Sequence, residues 1–119
     1  MDKFDKEESK RIISKKIQLE KEKSEKERQV LLQKVISILK QELSGKDLEV
    51  YLVGSITRPY SFSQRSDIDI VVKGYHDDRF DLWTRLEGLF KRDVEVILYE
   101  KCHFKDHVDK FGLRVVPHG

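Results

Sequence analysis

Cysteine and long apolar runs are scarce in this sequence, and each scarcity excludes a class of protein. The 119 residues include one cysteine, Cys102, which excludes an intrachain disulfide and favours a reducing compartment. No apolar run approaches the ~20 residues that a membrane-spanning helix needs. The opening residues, Met1-Asp2-Lys3, are not typical of a signal peptide. We therefore expect a cytoplasmic protein with no membrane association.

Charge is nearly balanced overall but unevenly distributed along the chain. The formal net charge of +2 does not by itself indicate nucleic-acid binding. Residues 1–49 contain 13 Lys or Arg and 11 Asp or Glu, whereas the longer segment 50–119 contains 11 of each. We predict a charged helical N-terminal extension, residues 1–29, followed by one domain, residues 30–119, with a single core.

Helix-breaking residues are absent from the first third of the sequence. No Gly or Pro occurs from Lys6 to Leu43, and Lys, Glu, Gln, Leu and Ile dominate this segment. The composition predicts one long helix that stops at Ser44-Gly45. Its core-facing residues should form one stripe at helical spacing: Leu32, Val35, Ile36, Leu39 and Leu43.

The charged part of this predicted helix has two interpretations. Residues 20–29 include no apolar side chain, which indicates either a solvated helix or a frayed one. Further towards the N-terminus, Ile12, Ile13 and Ile17 either meet a partner surface or are stray apolar residues on a solvated extension.

Alternating and helical periodicities predict the order of strands and helices in the second half of the chain. Phe80, Trp83, Leu86 and Phe90 recur at helical spacing and indicate a core-facing helix stripe. The order predicts an α+β or α/β layer with helices on one face of a sheet. The elements are a strand at Glu49–Val53, a strand at Ser66–Lys73, a helix at His76–Phe90, a strand at Asp93–Tyr99, a short helix at His103–Phe111 and a strand at Leu113–Val116.

Two acids interrupt the apolar pattern of the second strand. Asp67 and Asp69 alternate with apolar residues, so both carboxylates should point away from the core, about 6.5 to 7 Å apart. Such neighbours repel each other unless a cation binds, and Mg²⁺ prefers one or two carboxylates together with substrate phosphates. Glu95 occupies an outward position on the next strand. Three such carboxylates suit two metal ions about 3.5 to 4 Å apart, as in phosphoryl transfer. The alternative is a set of exposed acids with no ligand.

A glycine-serine pair follows the first strand and predicts a phosphate-binding turn. Gly54 allows close approach of the backbone to a ligand, and the N–H groups that follow, with the Ser55 hydroxyl, can bind phosphate. Arg58 and Arg65 either contact a triphosphate or are solvated. A zinc site at His103 and His107, beside Cys102, is disfavoured, because no second ligand pair occurs.

These motifs, in this order, resemble the DNA polymerase β-type nucleotidyltransferase superfamily. They are Gly54-Ser55, the segment SDID that contains both aspartates, and the later KRDVEVIL. The sequence is most similar to the minimal nucleotidyltransferase (MNT) branch, small antitoxins paired with HEPN ribonucleases in toxin–antitoxin modules, over roughly residues 30–117. The resemblance implies a nucleotidyltransferase fold: α+β (α/β-like), a small mixed β-sheet with helices packed on one face, and a long N-terminal helix.

The same resemblance implies an enzymatic function. It is that of an ATP- and Mg²⁺-dependent protein adenylyltransferase, which transfers AMP to a tyrosine of a cognate HEPN toxin and so neutralises it. Two Mg²⁺ ions are expected, with Asp67, Asp69 and Glu95 as metal-binding and catalytic residues. The nucleotide-binding residues implied are Gly54, Ser55, Arg58, Arg65 and Ser66.

Two departures from the usual pattern of the branch leave other functions open. The spacer between Ser55 and Asp67 has eleven residues, one more than is commonest, and Glu95 replaces the usual aspartate. A catalytically inactive antitoxin that acts by binding alone is therefore one alternative, and a small-molecule nucleotidyltransferase is another. Without a further domain to enclose a small acceptor, we expect a macromolecular one. An RNA-directed enzyme is disfavoured, and direct nucleic-acid binding is not expected, because no basic stripe occurs.

Overall fold

Strands and helices follow one another in the order that the sequence periodicity predicts. A computed structural model describes residues 6–117, so the first five residues of the predicted extension and the last two of the predicted domain lie outside the described part. None of the described helices is long and apolar enough to cross a membrane. The elements are α1 (Lys6–Leu43), β1 (Glu49–Val53), β2 (Ile68–Lys73), α2 (Arg79–Phe90), β3 (Val94–Leu98), α3 (Lys105–Phe111) and β4 (Leu113–Val116).

The four described strands form one mixed sheet in the order β3-β2-β1-β4. β2 pairs antiparallel with β1 and parallel with β3, and β4 pairs antiparallel with the other edge of β1. The register sets Val53 opposite Asp69, and Asp69 opposite Glu95. One row of residues therefore crosses three strands at the end of β1, where Gly54 follows.

The main core lies between one face of the sheet and the helices α1 and α2. The α1 stripe is confirmed, because Val35, Leu39 and Leu43 are fully buried and the two other predicted members are partly buried against the core. Burying each such side chain stabilises the fold by roughly 1.5 to 3 kcal/mol. The strands contribute their alternate residues to the same core: Val50, Leu52, Ile68, Ile70, Val72, Val94 and Val96. The predicted α+β class with a long N-terminal helix is thus confirmed.

A second, smaller cluster occupies part of the opposite face. Val108 of α3 packs there on Val53 and Val71, with Tyr51 and Ile97 at its margin. The short helix α3 therefore covers one end of the sheet face that carries the acids, instead of joining the main core.

The boundaries of the elements differ from the sequence predictions by a few residues. The strand predicted from Ser66 begins at Ile68, whose N–H donates to the carbonyl of Asp93 (3.1 Å). Asp67 therefore precedes the strand. The helix predicted from His76 begins later, because the Asp78 carboxylate caps it by accepting from the N–H of Phe80 (2.9 Å).

The remaining boundary shifts are small. β3 lacks both end residues of its predicted range, and α3 begins two residues late at Lys105. β1 and β4 begin and end where the alternation predicts.

Two predictions about side-chain burial are wrong. Phe80, which the helical spacing assigns to the core stripe of α2, is 64% exposed. Leu82, Leu86 and Phe90 form that stripe instead, and Trp83 is only partly buried. The aromatic rings of Phe80 and Trp83 stack with centroids 6.3 Å apart.

The charged segment of α1 is also less solvated than predicted. α1 continues without a break across residues 20–29, but Glu25 and Arg28 within it are each only 6% exposed. Both contact the chain that follows β1, which is the physical reason for their burial. The predicted boundary between extension and domain, at residue 29, falls inside this helix and stays a prediction.

Candidate functional site

The chain turns sharply at Gly54, directly beside the carboxylate of Asp69. Gly54 has φ of 79° and ψ of −159°, a conformation that strains any residue with a side chain. A Cβ at this position would overlap Oδ2 of Asp69 and lie 3.4 Å from its Cγ. Glycine is therefore required here twice, for the backbone conformation and for the close approach of the carboxylate.

The negative charges of the other two predicted acids, Glu95 and Asp67, act on the carboxyl group of Asp69. Burial, followed by the negative charges of Glu95 and then Asp67, raises the pKa of Asp69 to about 6. Asp69 is half-buried, whereas the carboxylates of Asp67 and Glu95 are exposed to solvent. A cation bound beside Asp69 would offset this repulsion, so the donor set suits a hard divalent ion.

The acids do not form a complete metal cage. Within residues 6–117, no three His, Cys, Asp or Glu side chains are gathered closely enough to hold a metal ion by themselves. Mg²⁺ typically binds proteins through one or two carboxylates and takes its other ligands from substrate phosphates and water. The residues present fit that partial mode of coordination, and the metal-binding role of the three acids stays a prediction.

The raised pKa of Asp69 predicts a pH-dependent effect on stability without metal. The folded state binds the proton more tightly than the unfolded chain, so this contribution to stability is present at low pH and is lost as the pH rises through about 6. With a discount for solvent screening, Asp69→Asn should stabilise the metal-free protein at about pH 7.5 by on the order of 1 kcal/mol, and by almost nothing near pH 4. Thermal unfolding in a chelator checks this, and an equal effect at both pH values would contradict it.

Two adjoining cavities open beside this row. One, of about 310 Å³, is lined by Gly54, Asp69 and Glu95 together with the aromatic residues Phe104 and His107. The second, of about 410 Å³, shares Val53, Gly54 and His107 with the first and extends to Thr57, Arg58 and Phe111. Each is within the size range of small-ligand sites, which begins at about 300 Å³. Asp69 and Glu95 thus line one end of a groove and Arg58 lines the other, whereas the described lining does not include Asp67.

The predicted nucleotide-binding residues are only partly brought together. Ser55 begins a 3-10 turn, Ser55–Thr57, which is fixed because Thr57 donates to the Gly54 carbonyl through both its N–H (3.1 Å) and its hydroxyl (2.7 Å). Arg65 is exposed, and the Ser66 hydroxyl accepts from the N–H of Ser63 (3.0 Å) inside the spacer. The described lining of the two cavities does not include Ser55, Arg65 or Ser66.

Aromatic residues of α3 and the segment before it form a wall that sequence reasoning missed. Phe104 and Phe111 are exposed, and the rings of His107 and Phe111 lie 5.1 Å apart. The only signal in the sequence was the helical spacing of these residues, which does not show that α3 lies over the acid-bearing face.

Arg92 is a second residue that sequence reasoning missed. Its Nη2 donates to the carbonyls of Ser63 (3.3 Å), Gln64 (3.0 Å) and Ser66 (3.0 Å), and its guanidinium lies 4.6 Å from the ring centroid of Phe62. These bonds hold the C-terminal end of the spacer, which leads directly into the acids. The spacer is therefore anchored to the turn between α2 and β3, not left as a free loop.

Comparison with known proteins agrees with this geometry. The family model described as "nucleotidyltransferase domain" matches residues 32–115. Among solved structures, the chain is similar to a mutant form of the toxin–antitoxin MntA-HpeT, with a TM-score of 0.54 and 22% sequence identity over 71% of each chain. At this level of sequence identity, the similarity shows a shared fold. Among curated protein sequences, none matches the chain significantly.

Proposed function

This chain belongs to the nucleotidyltransferase-domain family, and on that premise we propose that it is an antitoxin that acts as a protein adenylyltransferase. The substrates would be ATP and a tyrosine hydroxyl of a cognate HEPN-family toxin. The observation that carries the transferase part is the row from Gly54 to Asp69 and Glu95 at the mouth of a groove. The similarity to a structure described as a toxin–antitoxin supports the choice of partner. We place the activity in the cytoplasm, which suits the single free thiol.

In the proposed reaction, the acceptor oxygen attacks the α-phosphorus of ATP, the bond to the bridging oxygen breaks, and pyrophosphate leaves. Mg²⁺, held by Asp67, Asp69 and Glu95, would supply charge neutralisation at the phosphates. Backbone N–H groups after Gly54 would bind the β- and γ-phosphates, with Ser55 adding a hydroxyl. Glu95 is solvent-exposed at the edge of the groove, where its carboxylate can take up the proton of the attacking hydroxyl.

One incubation tests the proposal against its alternatives. The full chain is mixed with Mg²⁺, labelled ATP and the product of the neighbouring gene, and the mass of that product is followed. Additions of whole AMP units are expected. A tight complex with no added mass would instead identify an inactive antitoxin that acts by binding. Label on a small molecule would identify the small-molecule transferase.

The exposed part of α1 should contribute to partner binding. Ile12, Ile13 and Ile17 are exposed on the described helix, and no residue from 10 to 24 is buried. Deleting residues 1–20 removes these isoleucines but keeps Glu25 and Arg28, so the fold should persist while the dissociation constant of the complex rises by about tenfold, the equivalent of ~1.4 kcal/mol. Calorimetry with the partner measures this. Unchanged affinity would show that the segment is merely solvated.

A further inference from the structure

Glu25 and Arg28 form a buried, doubly hydrogen-bonded ion pair on α1. Arg28 donates from Nε to Oε1 of Glu25 and from Nη2 to Oε2, both at 2.7 Å, and the two side chains are 7–8% exposed. Gln29 donates a third hydrogen bond to Glu25 Oε2 (3.0 Å). Such a pair is costly to bury unless its remaining donors and acceptors are also satisfied.

The remaining hydrogen bonds of the pair go to the chain that follows Gly54. Arg28 Nη1 donates to the carbonyl of Ile56 (2.7 Å), and Glu25 Oε1 accepts from the N–H of Tyr60 (2.7 Å). Tyr60 has φ of 61°, a conformation that L-residues rarely adopt without support. The pair therefore holds both ends of the segment 56–60.

This segment is the one that carries the groups proposed to meet the nucleotide. The 3-10 turn that begins at Ser55 includes Ile56, whose side chain is fully buried, and Arg58 on the same segment lines the groove. Arg28 and Glu25 themselves are absent from the described lining of that groove. They act on the turn from behind, on the side away from the acids.

From this geometry we infer that Glu25 and Arg28 are positioning residues for the nucleotide-binding turn. They hold Gly54, Ser55 and Arg58 in register with the acids through the bonds to Ile56 and Tyr60. The inference rests on the proposed function, because it assigns the pair a role in binding the triphosphate of Mg-ATP.

The pair is ionised throughout the neutral pH range. Hydrogen bonds from Arg28 and then from the N–H of Tyr60 lower the pKa of Glu25 to about 2. The ion pair therefore keeps both charges at the neutral pH of the binding measurements.

The test replaces both charges at once, since removing one alone would leave the other buried and unpaired. Glu25→Met with Arg28→Met keeps the side-chain volumes similar and removes both charges together with the hydrogen bonds to the Ile56 carbonyl and the Tyr60 N–H. The matched control is Asp81→Asn with Arg85→Met, which removes a solvent-exposed pair of the same chemistry (3.1 Å) on α2, together with the 3.5 Å ion pair between Arg85 and Glu42. Arg28→Lys adds a conservative variant that keeps the charge but loses the planar fork.

Two readouts are taken on the full-length chain: hydrogen exchange of the Tyr60 amide, and the dissociation constant for Mg-ATP. We expect faster Tyr60 exchange and affinity weakened by about 10- to 100-fold in the double variant, with Arg28→Lys intermediate and the control unchanged. Melting temperature verifies that the core remains folded.

The outcomes separate this inference from the proposed function. If the wild-type chain binds Mg-ATP and the folded double variant binds it equally well, the positioning role is overturned and the proposed function stands. Unchanged Tyr60 exchange in that variant would overturn it as well. If the wild-type chain itself does not bind Mg-ATP, the proposed function fails and the inference fails with it.

Discussion

Asp69→Asn is expected to reduce nucleotide transfer by at least about 10³-fold, the equivalent of ~4 kcal/mol of transition-state stabilisation. Asp69 is the central acid, because it lies opposite Glu95 in the sheet register and against the backbone of Gly54. Asparagine has almost the same shape, so the close contact with Gly54 is kept while the negative charge that would hold a cation is lost. The rate of AMP addition to the partner measures the effect.

A matched control distinguishes this loss from a general effect of removing a surface acid. Asp77→Asn also removes one carboxylate, but Asp77 is exposed and its ion pair with Lys46 is long, at 3.9 Å. It should leave transfer unchanged. If Asp69→Asn remains folded and retains a tenth or more of the wild-type rate, roughly 1.4 kcal/mol or less of lost stabilisation, the catalytic role of Asp69 is refuted.

Gly54→Ala is expected to have the second largest effect. The positive φ alone should destabilise the fold by about 1 to 3 kcal/mol, and the added methyl group would overlap the Asp69 carboxylate. Displacing that carboxylate should lower transfer by about 10²-fold even where the protein stays folded, because small misplacements at a reacting centre are costly. Chemical denaturation and the transfer rate, measured on the same preparation, report the two effects.

Gly88→Ala is the appropriate control for this substitution. Gly88 lies within α2, and a Cβ there would meet no atom within 4 Å in the described structure. Alanine is favoured over glycine in a helix interior, so this variant should be more stable by up to about 1 kcal/mol, with normal transfer. Equal behaviour of the two alanine variants would contradict the close approach of Gly54 to Asp69.

The sheet and its acid-bearing face were predictable because strand periodicity sets the direction of each side chain. Alternation around Asp69 and Glu95 assigned both to the face opposite the main core, and the parallel register of β2 and β3 places them side by side. Asp67 was predicted less well. It precedes β2 because the chain bonds within the spacer, where the Ser66 hydroxyl accepts from Ser63.

The supports behind the site could not be predicted in the same way. Glu25 and Arg28 lie in a segment with no apolar residue, which is typical of a solvated helix. The backbone partner of Glu25 is 35 positions away along the chain, and that of Arg28 is 28 positions away. Arg92 similarly binds carbonyl groups, which every residue has. Side-chain periodicity contains no information about such contacts, since every residue type except proline offers the same backbone donor and acceptor.

Calorimetric titration with Mg²⁺ and a non-hydrolysable ATP analogue tests the central claim most directly, that the acids and the Gly54 turn together bind a metal-nucleotide. We predict a saturable heat for the wild-type chain and for Asp77→Asn, and none for a folded Asp67→Asn/Asp69→Asn double variant. No heat with the wild-type chain, or equal heat with the double variant, would contradict the account.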